Sequence, residues 1–493
     1  MAVKPAFQVI VLGPNGGPRE DKVTGLLVRS TSTNWSPGSV VAVDAGTLLA
    51  GIIRLIQEFM VKGRDKKGAM RAGPFAGLPL PFETAEANAA HVFREIIGAV
   101  LITHPHLDHI SGLAINTPIL EAGSGPKPVA ALPSALSAIK NHLFNDVIWP
   151  NLSDEDGGAG LLTYQRLVEG GNPRFGSGEA RGYVRACNGI VTKCLSVSHG
   201  HCMQRFNPAT GRHHRADSTV FASDQLMLPP RNLSLENVEA GFYSPVRTPL
   251  NIQPAPKEPL MARVESSAFF LRDDKTGKEI IIFGDVEPDS VSLDPHNKRV
   301  WRTAAPKVAS GTLQAIFIEC SYNDSVDDAY LYGHLCPRHL IAELKVLAAQ
   351  VMEQRDRTAE RKRKREQDSK GELSLEEVSP RTKRMQKSRT NSVAVASREY
   401  RTQRAASGSW SKSAPPEVMI QIEDLEDPDP DQWADAIPLP LHDFSVYIIH
   451  IKEYLTDGPP PGDRIISELR AHAKEANLGC EFFLPDPAEP IWL

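Results

Sequence analysis

Three imidazoles and a carboxylate fall within six residues, His104-Pro105-His106-Leu107-Asp108-His109, directly after the apolar run Ala99-Val100-Leu101-Ile102-Thr103. A short apolar run that opens onto a polar cluster predicts a buried strand ending in a loop. The fold must therefore bury the strand while keeping its C-terminal end open to chemistry. Neutral imidazole and carboxylate are ligands for zinc, manganese and iron. The pattern predicts an α/β fold with a transition-metal site at the end of a strand.

The 493 residues suffice for more than one domain, yet α/β sandwiches with insertions reach this length as single units. A net charge of −5 supplies no overall basic field for nucleic acid. The six cysteines, Cys187, Cys194, Cys202, Cys320, Cys336 and Cys480, contain no CxxC pair. They read as reduced thiols of an intracellular protein, with no nucleophile among them. The N-terminal residues lack an apolar signal core and no apolar run approaches a membrane span, so a soluble protein without a membrane partner is expected. The expected compartment is the cytoplasm, with the nucleus as a second location.

Further buried strands are predicted at Phe7–Leu12, Gly25–Val28, Val40–Gly46, Ile280–Phe283, Ala315–Ile318 and Val446–Ile449. Asn15-Gly16-Gly17 is read as a hairpin turn rather than a phosphate-cradling loop. Leu340, Leu344, Leu347 and Val351 recur at helical spacing and predict a core-facing helix after Pro337. One catalytic domain over 1–493 is expected, interrupted by a surface insertion at 62–90 and an irregular one at 205–260. A third interruption, 355–415, is basic and nearly free of large apolar residues, and is read as disordered. Its Arg361-Lys362-Arg363-Lys364-Arg365 run is a solvated insertion or an import-factor contact, and Ser392 and Ser407 stand at basophilic-kinase spacing.

Downstream of the first cluster, chemistry-bearing residues recur at strand ends. His199 follows Ser196-Val197-Ser198, Asp285 follows Ile282-Phe283-Gly284, Glu319 follows Ile318, and His450 follows Ile448-Ile449. His334 lies in Leu331-Tyr332-Gly333-His334. Strand ends are where ligands converge in α/β sheets. His201 competes with His199 for the same role, and Asp44 in Val43-Asp44-Ala45-Gly46 is expected to tie the metal loop by hydrogen bonds.

His104-x-His106-Leu107-Asp108-His109 resembles the metallo-β-lactamase signature. With Ser198-His199-Gly200, Phe283-Gly284-Asp285, Ile318-Glu319-Cys320-Ser321-Tyr322, Gly333-His334-Leu335 and His450-Ile451-Lys452, the chain resembles the class II cyclic-nucleotide phosphodiesterases of that superfamily. The one departure noted, Asn116-Thr117-Pro118 where small residues are expected, touches no ligand. The resemblance implies an αββα sandwich of two mixed sheets flanked by helices. It also implies two divalent metal ions, Zn2+ favoured and Mn2+ or Fe2+ as alternatives. His104, His106 and His199 would hold one; Asp108, His109 and His450 the other; Asp285 would bridge. The implied reaction is hydrolysis of cyclic AMP, and of cyclic GMP as a second substrate, to the 5′-monophosphate by a metal-activated hydroxide. His334 would serve as general acid oriented by Glu319, against the bland reading of a packing residue near a helix start. Lys452 would contact the phosphate, against the reading of a solvated lysine. A homodimer is implied by the family alone.

Two rivals stand beside this reading. A tRNA 3′-end nuclease of the same fold lacks support from the acidic net charge, and no nucleic-acid partner is expected. A scaffold protein would have lost metal ligands, and every expected ligand is present.

Overall fold

The computed structural model describes residues 4–66, 68–121, 125–200, 204–207, 212–215, 264–292, 295–372 and 439–493. In chain order the strands are β1 (Phe7–Gly13), β2 (Gly25–Ser30), β3 (Val40–Ala45), β4 (Ile97–Leu101), β5 (Lys127–Ala131), β6 (Leu162–Arg166), β7 (Val184–Cys187) and β8 (Ile190–Val197). They continue as β9 (Gln204–Asn207), β10 (Arg212–Arg215), β11 (Ser266–Asp273), β12 (Glu279–Phe283), β13 (Leu313–Glu319), β14 (Ser445–Ile449), β15 (Glu481–Phe483) and β16 (Ile491–Trp492). The helices are α1 (Leu49–Met60), α2 (Ala85–His91), α3 (Leu107–Asn116), α4 (Pro133–His142), α5 (Asn297–Ala309), α6 (Pro337–Glu372) and α7 (Pro461–Glu475).

The described strands form two seven-stranded mixed sheets, ordered β16-β1-β2-β3-β4-β5-β6 and β15-β14-β13-β12-β11-β8-β7, and β9 and β10 pair with each other. In each sheet an antiparallel half passes into a parallel half: β3 to β6 run parallel in one, β12 to β15 in the other. Strand side chains alternate between two buried environments rather than between core and water. Val41 and Val43 of β3, Ile280 and Ile282 of β12 and Phe317 of β13 meet in the core between the sheets. Val40 and Ala42 face a second core with Ile52, Leu55 and Ile56 of α1, and Ile281, Ile316 and Ile318 a third with α5, α6 and α7. Burial on both faces explains why these strands read as continuous apolar runs. The arrangement is the expected αββα sandwich.

Chain contacts divide the protein into a unit of Met1–Thr358 with Leu439–Leu493, which holds the sandwich, and a second of Ala359–Pro438. Among the described residues no helix is long and apolar enough to cross a membrane. Five described cysteines are free, Cys187, Cys194, Cys320 and Cys336 buried and Cys480 half-buried, while Cys202 lies outside the described residues. Burial pushes the Cys187, Cys194, Cys336 and Cys480 thiols up to about 12.

Two sequence expectations need correction. The 62–90 stretch is not a surface excursion throughout: Met70, Phe75, Leu78 and Leu80 are buried in the core against α1. Phe75→Ala should therefore cost about 3–5 kcal/mol, read as a drop in denaturant midpoint. A loss below about 1 kcal/mol would return the segment to the surface. Second, 355–372 is the continuation of α6, not a disordered tract, while 373–415, with both serine acceptors, lies outside the described residues. Asn15-Gly16-Gly17 does lie in the hairpin connection between the antiparallel strands β1 and β2; that connection is long, residues 14–24, and its Gly16 N–H donates to Ile451 O. The irregular stretch 205–260 holds β10 and most of β9, and its residues 208–211 and 216–260 lie outside the described set.

Candidate metal centre

β3, β4, β8, β12, β13 and β14 deliver the site from one edge of the two sheets. His104 stands three residues past β4, His199 and Asp285 two past β8 and β12, Glu319 closes β13, and His450 follows β14 at φ 59°. Asp108 and His109 lie in the first turn of α3. His104, His109, His199, Asp285 and His450 are buried, whereas His106 and Asp108 are half-buried and mark the open side.

The donor atoms form two sets that share one carboxylate. His104 Nε2 is 3.0 Å from His106 Nδ1, and His199 Nε2 is 3.3 Å from that same atom. Asp285 Oδ2 lies 3.4 Å from His104 Nε2 and 3.6 Å from His199 Nε2. On the other side Asp285 Oδ1 is 3.2 Å from both His109 Nε2 and His450 Nε2, and His450 Nε2 is 3.2 Å from Asp108 Oδ2. Ligands about 2.0–2.2 Å from a tetrahedral cation lie roughly 3.3–3.6 Å from one another, so both sets have the edge lengths of a cation's coordination shell.

The outer ring nitrogens settle which atoms face inward. His109 Nδ1 meets Asp44 Oδ2 at 2.8 Å, and His199 Nδ1 meets Gly333 O at 2.9 Å. His450 Nδ1 meets Ser321 Oγ at 3.1 Å, and His104 Nδ1 meets Thr103 Oγ1 at 3.1 Å. A proton on each Nδ1 satisfies these partners and leaves an Nε2 lone pair pointing into the site, the way ligating histidines are usually held. Lone pairs 3.0–3.3 Å apart repel unless a proton or cation lies between them. His109 Nε2 and Asp285 Oδ1 approach each other without hydrogen-bond geometry and have no hydrogen-bond partner among the described residues, which fits a buried space for a cation.

Electrostatics favour the same occupant. Burial, then the neighbouring His104, push the His106 imidazole down to about 3. Burial also lowers His199 and His450, so these rings are neutral and ready to ligate. Burial opposes charge on His109, but the Asp285 and Asp44 carboxylates prevail and raise it well above 6.5. Burial opposes charge on Asp285, but four histidines, His450 first and then His109, His104 and His334, hold its carboxyl well below the usual carboxylate range. A cation would take the place of the His109 proton.

Asp44 does what its motif suggests. It accepts from the Thr103 N–H at 2.8 Å and from Thr103 Oγ1, besides holding His109. Asp44→Asn places an amide against His109 Nδ1–H, and metal affinity should fall about 10–100-fold in competition with a chromogenic chelator. An unchanged affinity would reduce Asp44 to a purely structural role.

His334 and Glu319 lie alongside. His334 Nδ1 is 3.0 Å from Glu319 Oε1 and 3.7 Å from Asp285 Oδ2. Burial opposes its charge, yet Glu319 and Asp285 raise its pKa. Glu319 is wholly buried and also accepts from the Val286 N–H at 2.6 Å and Ser321 Oγ at 2.5 Å. Lys452 Nζ donates to Gly16 O at 2.6 Å and stands 3.4 Å from Asp108 Oδ2. His201 lies outside the described residues. Thr103, Ser321 and Gly333 carry site contacts that sequence reasoning assigned to no one.

The family model of cAMP phosphodiesterases class-II matches residues 8–168 and 232–359. The chain belongs to the class II cAMP phosphodiesterases. Among curated relatives, this class II chain is 26% identical over 352 residues to a Schizosaccharomyces pombe 3′,5′-cyclic-nucleotide phosphodiesterase, covering 71% of this chain and 77% of that one. It is 27% identical over 378 residues to the 3′,5′-cyclic-nucleotide phosphodiesterase 1 of Saccharomyces cerevisiae, covering 69% and 82%. The crystal structure of unliganded yeast PDE1 matches with a TM-score of 0.57 at 19% identity, over 99% of this chain and 100% of that one, and so shares the fold.

Proposed function

We propose that this centre hydrolyses 3′,5′-cyclic AMP, and cyclic GMP as a second substrate, to the nucleoside 5′-monophosphate. The observation that carries the reading is Asp285, whose two oxygens each face a separate imidazole set. His104, His106 and His199 with Oδ2 would hold one divalent cation, and Asp108, His109 and His450 with Oδ1 a second. Zn2+ is the expected ion, since a mixed imidazole and carboxylate set suits it, with Mn2+ and Fe2+ accepted by the same donors. When bound, such a pair acidifies water and offsets charge growing on a phosphoryl group.

The remaining residues handle the leaving group. Opening the ring to a 5′-monophosphate releases the 3′-oxygen, which needs a proton as its bond to phosphorus breaks. Glu319 occupies the Nδ1 side of His334, leaving Nε2 as the nitrogen that donates. Against burial, the Glu319 and Asp285 carboxylates raise the ring's pKa and so favour the protonated form a general acid needs. Lys452 adds positive charge beside Asp108, where the phosphate's own negative charge would be met.

The test is product identity. Metal-loaded protein given cyclic AMP, cyclic GMP and a tRNA precursor with a 3′ trailer, side by side, should yield 5′-AMP and 5′-GMP and leave the RNA intact. Release of 3′-AMP would contradict the assigned leaving group, and cleavage of the RNA alone would assign the centre to nucleic-acid ends.

A further inference from the structure

A cyclic nucleotide whose phosphate sits on the metal centre must rest its base on the rim of that centre. Two backbone contacts bring three tyrosine-bearing turns together there. The Ser321 N–H donates to Leu335 O at 3.0 Å, joining the turn after β13 to the Leu331–Leu335 turn. The Lys452 N–H donates to Ser321 O at 3.0 Å, drawing in the turn after β14. Tyr322, Tyr332 and Tyr454 stand on these three turns.

The Tyr322 ring lies edge-on to His334, with centroids 6.1 Å apart. Tyr332 is two residues from His334 and next to Gly333, whose carbonyl holds His199. Tyr332 is 71% exposed although its backbone is held at φ 50°, a region that bulky residues rarely occupy. Tyr454 is 51% exposed, two residues beyond Lys452. Burial and Glu319 raise the Tyr322 hydroxyl to about 12, and Tyr454 and Tyr332 add to the effect, which places each of those two within electrostatic reach of Tyr322. A solitary exposed tyrosine is ordinary surface. Three on adjoining turns beside the proposed proton donor, two of them exposed and one of those in a strained backbone, offer aromatic faces to a ligand at the site.

We propose that this cluster is the subsite for the purine base, with Tyr332 as its main stacking face and Tyr454 beside it. Stacking on an aromatic ring suits any purine, because every base has a π-face. The cluster therefore gains affinity for adenine and guanine alike, and does not by itself choose between them. The inference rests on the phosphodiesterase reading.

Calorimetry on the full-length Zn2+-loaded protein tests it without relying on turnover. The probes are 5′-AMP and ribose 5-phosphate, which share the phosphate and ribose and differ in the base. The native protein should bind 5′-AMP at least about tenfold more tightly. Tyr332→Ala should reduce that preference about tenfold, Tyr454→Ala by less, and Tyr332→Phe should retain it, while ribose 5-phosphate binding stays constant in all three. Equal preferences in the native protein and both alanine variants would overturn the subsite. Turnover of cyclic AMP measured on the same samples separates the two ideas. Turnover with an unchanged preference sinks the base subsite and spares the phosphodiesterase reading. No turnover with a preference lost in Tyr332→Ala does the reverse.

Discussion

Asp285→Asn should lower cyclic AMP turnover about a thousandfold or more while leaving the sandwich folded. The substitution keeps the shape of the side chain and removes its charge. Both donor sets then lose their common anion, and the amide can donate hydrogens toward imidazole nitrogens that must offer lone pairs. Metal-assisted stabilisation of a phosphoryl transition state is worth several kcal/mol, and each ~1.36 kcal/mol is tenfold in rate. Circular dichroism should be near native, metal content should fall below two equivalents, and thermal stabilisation by added Zn2+ should shrink. A variant that keeps two ions and turns over within tenfold of the native rate would remove Asp285 from the centre of the mechanism.

The second large effect is at His334. His334→Ala should lower kcat for cyclic AMP about 10²- to 10⁴-fold, with metal content unchanged, if the proposed general acid is lost while both proposed donor sets stay intact. Glu319→Gln should follow at the weaker end of that range, since it leaves His334 in place but no longer fixes its Nδ1 proton. The leaving group gives the discriminating control. A p-nitrophenyl phosphodiester expels a stable phenolate that needs no proton, so His334→Ala should slow it by less than about tenfold. An equal loss on both substrates would show that His334 supports the metal centre and is not the proton donor. The result would then favour the packing role that its position three residues before α6 also allows.

What could be read from sequence, and what could not, follows from the range of each interaction. The strands and their ends were legible because burial on both faces writes an apolar run, and each of His104, His199, Asp285, Glu319 and His450 sits within three residues of one. Asp44 was legible for the same reason, inside β3. Two of the contacts that fix the histidine tautomers were not. Ser321 Oγ reaches His450 across 129 residues, and the Gly333 carbonyl reaches His199 across 134, so no local pattern announces either.

The errors have equally physical causes. Residues 62–90 are rich in Gly, Pro and Lys, and Met70, Phe75, Leu78 and Leu80 follow neither helical nor strand spacing, so a periodicity argument is blind to their burial. The 355–372 tract lacks large apolar residues but is rich in Arg, Lys and Glu, which are good helix formers. The buried stripe Leu340, Leu344, Leu347 and Val351 nucleates α6, and continuing a helix costs far less than starting one. The exposed Glu353–Arg357 pair at i,i+4 spacing adds to that continuation. Low hydrophobicity excluded a core there, not a helix.

The most direct test of a dinuclear phosphodiesterase is a metal titration of chelator-stripped protein. Zn2+, or Mn2+ in parallel, would be added in fractions of an equivalent while bound metal and 5′-AMP formation are followed together. Turnover should rise with occupancy and level off at two equivalents per chain, and chelator should abolish it. Two bound equivalents with no conversion of cyclic AMP, or full turnover at one, would contradict the account.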